Sequence, residues 1–188
     1  TLLYSQVEKD NKESPLGYEA KLRNARLNYF TGNFSLAKSH LDILKLATTR
    51  EISNDAIALS LLITDNTAFD TTDLVMQEFA NAELLIFQNK TQQAEAKLTK
   101  ILEDNPGHSI TDEVYWLQSK LELKAGNYQQ AVDYLDKIIE AYNYDILSDD
   151  AFYKKATIIQ DYLHDEESAM TQYQEFLKEH PGSMYAAE

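Results

Sequence analysis

One sequence pattern occurs four times along this chain, and it predicts a short turn followed by an amphipathic helix. In the clearest copy, Ala125 to Asn143, Gly126 and Asn127 suit the turn because they adopt backbone conformations that β-branched residues resist. Apolar residues then recur at three- and four-residue spacing, which places them on one stripe of a helix. These residues are Ala131, Tyr134, Leu135, Ile138, Ile139 and Tyr142. The other copies begin at Gly32, Asn89 and Asp165. Such a chain is predicted to fold as a series of helix pairs.

A small residue early in each repeated helix gives the repeat period. Ala94 and Ala131 are 37 residues apart, and Ala131 and Ala169 are 38 apart. Ala37 and Ala94 are 57 apart, which corresponds to one repeat plus an extra helix predicted at about residues 51–64. Because a small side chain lets a neighbouring helix approach closely, we expect Ala131 at a tight helix crossing. The predicted pairs are 16–48, 73–105, 111–143 and 148–180, in a single domain 1–188 with a truncated repeat at each end.

Composition supports helices and argues against several kinds of chemistry. With 5 Gly and 3 Pro in 188 residues, the chain has few of the residues that many short strands and turns require. The sequence has no Cys, which excludes disulfides and thiolate metal sites. It has no glycine-rich phosphate loop, no H-E-x-x-H motif and no nucleophile elbow, and its four His residues are scattered. The sequence therefore predicts an all-α protein that is not an enzyme and holds no cofactor or metal.

The net charge of −14 argues against binding to nucleic acid or to anionic membrane surfaces. The charge is unevenly distributed: residues 1–50 carry eight Lys and Arg against five Asp and Glu, whereas residues 51–188 carry nine against twenty-six. A solvated acidic surface explains this distribution. The alternative is that the two parts attract different partners or neighbouring copies of the chain. The charged residues considered for that contact are Lys21, Arg23 and Arg26 on one side and Asp133, Asp136 and Glu140 on the other.

The repeat resembles the tetratricopeptide repeat (TPR), a helix–turn–helix unit of about 34 residues with a small residue in each helix and a Pro at its end. The matching positions are Phe34 and Tyr128 after the turn; Leu41, Leu98, Leu135 and Tyr173 in the second helix; Ala37, Ala94, Ala131 and Ala169 at the small position; and Pro106 and Pro181 at the end. The first helices lack the full Trp-Leu-Gly-Tyr set, and the period is longer than the family average. The resemblance implies a right-handed α-α superhelix, or solenoid, of antiparallel helix pairs with one extra half-repeat.

The linkers between pairs are long, as in NPGHSITDEV after Asp104 and HPGSMYAAE after Glu179. Such linkers resemble those of the TPR variant in bacterial cell-envelope proteins, the BamD-like and Tol–Pal-associated periplasmic proteins. This resemblance implies a periplasmic or outer-membrane-associated location, with the cytoplasm as the alternative. No apolar run is long enough to span a bilayer, so membrane insertion is not expected. The chain begins with Thr1 rather than Met, so we expect a processed or excised piece, from which a targeting signal could be missing.

In the TPR family, side chains of the first helices line the concave face of the solenoid. Carried over by position, the groove residues are Arg26, Tyr29, Phe30, Phe79, Glu83, Trp116, Lys120, Tyr153 and Thr157. Trp116 is the single Trp, and it is either an anchor for a partner or a packing residue between helices. The resemblance implies a non-catalytic module that binds a protein or a peptide segment. The alternative is a structural element of a cell-envelope complex, in which the chain's own helices fill the groove.

Overall fold

The computed structural model describes residues 2–46, 49–68 and 72–187. Every regular element in these ranges is helical. The helices are α1 (Leu2–Asp10), α2 (Pro15–Phe30), α3 (Phe34–Leu44), α4 (Arg50–Thr67), α5 (Leu74–Phe87), α6 (Thr91–Asp104), α7 (Thr111–Ala125), α8 (Tyr128–Ala141), α9 (Ser148–Asp161) and α10 (Glu166–Glu179). A 3-10 turn follows at Met184–Ala187. The predicted all-α fold is confirmed for this part of the chain.

The first of two compact units covers Thr1–Asn105 and contains α1 to α6. Helices α1 to α4 each pack against the next one, α5 packs against α6, and α2 also contacts α4 and α5. The extra helix predicted at 51–64 corresponds to α4. The predicted end of the preceding helix at Ala47, and part of the loop predicted at 65–72, lie outside the described residues.

The second unit covers Pro106–Glu188 and contains α7 to α10, each packed against the next. Short turns join α7 to α8 and α9 to α10, so the two helices of each pair run antiparallel. Their core cluster consists of Ala131, Val132, Leu135, Ile138, Ala151, Ile158, Ile159 and Ala169. Ala131 has no exposed surface, which agrees with the tight helix crossing predicted for it.

Local backbone chemistry fixes where the helices begin and end. At the start of α2, the Ser14 hydroxyl accepts a hydrogen bond from the Gly17 N–H at 3.1 Å, and Pro15 takes the first helical position. Helix α7 ends at Gly126, whose φ of 85° lies in the left-handed region that favours glycine. The sequence predicts Ser148 as the cap of α9, but Leu147 takes the capping position and Ser148 is the first helical residue.

Candidate protein-binding surface

In the first unit, two of the predicted groove residues lie in the core. Tyr29 is 1% exposed and Phe79 is 2% exposed. The Tyr29 hydroxyl donates a hydrogen bond to Oε2 of Glu83, which connects α2 to α5. A buried hydroxyl is costly unless it is hydrogen-bonded, so this contact directs both side chains towards each other. A partner protein has no access to the Tyr29 and Phe79 rings while the first unit is folded.

Arg26 and Phe30, the other two predicted groove residues on α2, also contact the first unit itself. Nη2 of Arg26 lies 2.7 Å from Oδ2 of Asp55 on α4, and both side chains are about half exposed. The centroid of the Phe30 ring lies 5.4 Å from that of Tyr29 and 6.4 Å from that of Phe87. The extra helix α4 and helix α5 therefore supply the partners for the face of α2 that was expected to line a groove.

In the second unit, Trp116 is partly buried and packs against the core cluster. Nζ of Lys120, one turn further along α7, lies 4.9 Å from the centroid of the Trp116 ring, and Lys120 is exposed. A cation over an exposed aromatic face contributes about 0.5–1 kcal/mol. Trp116 is therefore fixed by packing on one side and covered by an ammonium group on the other. The packing agrees with one of the two interpretations that the sequence left open, and the role of Trp116 as an anchor for a partner stays a prediction.

Tyr153 lies under the turn that follows α10. Its ring stacks on that of Tyr185, with the centroids 4.4 Å apart and the planes 6° from parallel. The Tyr185 hydroxyl donates a hydrogen bond to Oδ1 of Asp150 at 2.5 Å, and the Ser183 hydroxyl donates one to Oδ2 of Asp149 at 2.7 Å. The turn after α10 therefore packs on the first turns of α9. Thr157, one turn after Tyr153 on α9, is partly exposed and its hydroxyl donates to the Lys154 carbonyl at 2.8 Å.

Most of the charged residues considered for self-association have ion-pair partners inside their own unit. The pairs are Lys21 with Glu8, Arg23 with Glu19, Arg26 with Asp55, and Lys155 with Asp136. Asp133 instead accepts a hydrogen bond from the Gln129 amide at 3.0 Å. These intramolecular partners reduce the charge that remains for a contact between copies, and self-association stays a prediction.

One carboxyl group of the second unit is almost completely buried. Asp112 is 1% exposed, and neither of its carboxyl oxygens has a well-formed hydrogen bond among the described residues. Burial raises the pKa of Asp112 above its ordinary value; the neighbouring Glu113 opposes this shift, and the charge of Asp145 adds to it. Asp112 stands in the first turn of α7, where the helix dipole favours a carboxylate, and burial outweighs this effect.

Sequence reasoning missed a group of side chains that joins α7 to α8. Tyr115 stacks on Tyr134, and Lys137 lies against both rings. The three-residue spacing of Tyr134 and Lys137 was a usable signal, because residues three apart on a helix are neighbours. The position of Tyr115 depends on how α7 crosses α8, which the local pattern does not give. The described residues include no group of three or more His, Asp or Glu side chains placed to hold a metal ion. None of their helices combines the length and apolar character needed to cross a membrane.

Two segments of the second unit, residues 113–142 and 150–183, match the family model for the tetratricopeptide repeat. These two segments are similar to tetratricopeptide repeats. The first segment covers most of α7 and all of α8, and the second covers most of α9 and all of α10, so each matched segment corresponds to one of the antiparallel pairs described above. The packed helix pairs agree with a TPR solenoid. No curated protein and no solved structure matches the chain.

TPRs generally mediate protein–protein interaction and are typically non-catalytic. Within the two matched segments, the first helices α7 and α9 carry Trp116, Lys120, Tyr153 and Thr157. The pairs of the first unit lie outside the matched residues.

Proposed function

We propose that this chain is a non-catalytic protein-binding module, and that its second unit binds a peptide segment of a partner protein around Trp116 and Lys120. The arrangement of these two side chains carries the proposal. Trp116 is held by the core cluster, so its orientation is fixed before a partner arrives. Large aromatic side chains that are fixed in this way are common among the residues that dominate binding energy at protein interfaces.

The charges near Trp116 suggest the chemistry of the partner. Lys120 and Lys124 are exposed and stand one turn apart on α7, so they share a face of the helix. A segment that places an apolar side chain on Trp116 and an Asp or Glu opposite these lysines complements the surface in both shape and charge. Tyr153 and Thr157 on α9 belong to the same proposed surface. A partner that reaches this part of α9 encounters Tyr185, because that ring lies over Tyr153.

The test is to capture partners from an extract of the source cells on the immobilised protein and to identify them by quantitative mass spectrometry. The affinity of each candidate is then measured with purified proteins. Trp116→Ala and Lys120→Glu should each weaken binding of the same partner, and Trp116→Ala should do so about tenfold or more. Both variants require a thermal melt, because Trp116 also packs against the core cluster.

Lys90→Glu is the matched control, since Lys90 is an exposed lysine at the start of α6 in the first unit. It makes the same change in net charge as Lys120→Glu and should leave binding unchanged. A partner that binds both Trp116 and Lys120 variants as tightly as the original protein would contradict the proposal.

A second candidate function is that of a structural element in a cell-envelope complex. The first unit supports it, because Tyr29 contacts Glu83 and Arg26 contacts Asp55 within the unit. The long linkers that begin at Asn105 and His180 support the cell-envelope setting. In this case Trp116→Ala would leave the full-length protein in a native complex of unchanged size, which gel filtration of cell extracts measures. Fractionation of the cells would show whether that complex is in the envelope.

A further inference from the structure

Two tyrosine rings of the second unit form a platform that already holds a cation. Tyr115 of α7 and Tyr134 of α8 stack with their ring centroids 6.1 Å apart and an angle of 28° between their planes. Nζ of Lys137 lies 4.6 Å from the centroid of Tyr134 and 5.0 Å from that of Tyr115. Because the faces of aromatic rings are electron-rich, they attract ammonium and guanidinium groups at such distances. We call Tyr115, Tyr134 and Lys137 the tyrosine platform.

A depression of about 180 Å³ opens beside this platform. It is lined by Glu122, Gln130, Asp133, Tyr134 and Lys137. Two carboxylates against one ammonium leave the lining with an excess of negative charge. An apolar ring, two acceptors and a negative field together favour a side chain that is flat, cationic and rich in hydrogen-bond donors.

Hydrogen bonds within the second unit orient both carboxylates. Oε2 of Glu122 accepts a hydrogen bond from the Asn127 amide at 2.7 Å, and Oδ1 of Asp133 accepts one from the Gln129 amide at 3.0 Å. These two hydrogen bonds do not use the second oxygen of either carboxylate, Oε1 of Glu122 or Oδ2 of Asp133. Each group is therefore held in position by one oxygen and retains a second oxygen that can accept from a ligand.

We propose that the tyrosine platform and its depression bind an arginine side chain of a partner protein. The guanidinium group lies over the Tyr134 ring and donates hydrogen bonds to Glu122 and Asp133. Arginine fits better than lysine because its guanidinium is planar, is weakly hydrated, stacks on aromatic faces and presents five donors. Lys137 competes with the arriving arginine for the ring face. This surface complements a cation, whereas the surface around Trp116 and Lys120 complements an anion, so the two sites take opposite charges.

The test is an NMR titration of the complete ¹⁵N-labelled chain with the peptide acetyl-Gly-Arg-Gly-amide. Two matched peptides replace the Arg by Lys or by citrulline, which has nearly the shape of Arg but no charge. Amide shifts of Gln130, Asp133 and Tyr134 should respond most strongly to the Arg peptide and least to the citrulline peptide. Tyr134→Ala should weaken binding about two- to fivefold, whereas Tyr134→Phe, which keeps the ring, should retain it.

Lys137→Ala gives the sharpest test, because it should strengthen binding about two- to fivefold by removing the resident cation. Lys178→Ala makes the same change in charge at an exposed lysine of α10 and should strengthen it much less. Tyr162→Ala removes one ring of a separate pair, Tyr128 and Tyr162, and should have no effect. If Lys137→Ala and Lys178→Ala increase the affinity for the Arg peptide equally, the peptide is attracted to the acidic surface in general, and the proposal is overturned. Equal binding of the Arg and citrulline peptides, or full binding by Tyr134→Ala, would also overturn it.

Discussion

The close approach of Gly17 to the preceding loop makes a sharp test of the packing in the first unit. A Cβ atom at position 17 would lie 2.1 Å from the carbonyl oxygen of Asn11 and 2.9 Å from its carbonyl carbon. That oxygen cannot move freely, because it accepts hydrogen bonds from the Ser14 N–H at 3.2 Å and from the Ser14 hydroxyl at 2.8 Å. The same hydroxyl accepts from the Gly17 N–H and caps α2. Gly17→Ala must therefore displace the loop by about 1 Å and disturb the cap.

Three contributions set the size of the effect of Gly17→Ala. Overpacking costs about 1–3 kcal/mol, and partial loss of a helix cap costs about 0.5–2 kcal/mol. Alanine recovers up to about 1 kcal/mol through its higher helix propensity. Together these contributions predict a loss of about 0.5–5 kcal/mol of unfolding free energy, which lowers the melting temperature of a chain of 188 residues by about 2–4 °C for each kcal/mol.

Thermal unfolding followed by circular dichroism measures the effect of Gly17→Ala. Gly182→Ala is the matched control, because a Cβ at position 182 would meet no heavy atom within 4 Å. Its free energy of unfolding should change by less than about 0.5 kcal/mol. If both variants melt at the same temperature as the original chain, Gly17 does not make the close contact with Asn11 on which this reasoning depends.

Three further predictions concern a turn, a buried carboxyl group and a helix crossing. Gly32 and Gly126 have φ values of 76° and 85°, so replacing either by Ala should cost about 1–2 kcal/mol in strain. Only at Gly32 would the new Cβ also meet the Gln77 side chain. Adding Gln77→Ala should therefore restore part of the stability that Gly32→Ala loses, but none of the stability that Gly126→Ala loses, and chemical denaturation measures both. The raised pKa of Asp112 means that its contribution to stability is present below the ordinary Asp pKa and lost as pH rises through the folded value. The free energy of unfolding of Asp112→Asn, relative to that of the original chain, should therefore rise from about pH 4 to pH 7. A difference between the two proteins that stays constant across that range would refute the burial effect. Ala131→Leu should cost about 1–3 kcal/mol by overpacking at a position with no exposed surface, and an unchanged melting temperature would contradict it.

The sequence predicts the helices better than it predicts what they contact. Gly126 marks the end of α7 correctly, because its left-handed conformation is a local requirement that few other residues meet. The 57-residue spacing between Ala37 and Ala94 correctly indicates an additional helix, because the other small residues recur at a nearly constant period. The contact of Tyr29 with Glu83 depends on how α2 packs against α5, 54 residues later in the chain. No periodic pattern within one helix contains that information.

The extra helix α4 gives a physical reason to separate the roles of the two units. Asp55 brings a carboxylate to Arg26, so a cation that the TPR pattern assigns to a binding face becomes half of an intramolecular ion pair. Breaking an exposed pair of this kind costs about 0.2–1 kcal/mol, which the binding of a ligand can offset. Exposing the buried Tyr29 and Phe79 rings to a partner would instead require repacking of the core. In the second unit, Lys120 is exposed and Trp116 is partly buried, so neither side chain lies in the fully buried core. Binding at the surface proposed for the second unit would therefore need no repacking of the core, and this is why we propose that the partner contacts α7 and α9 rather than α2 and α5.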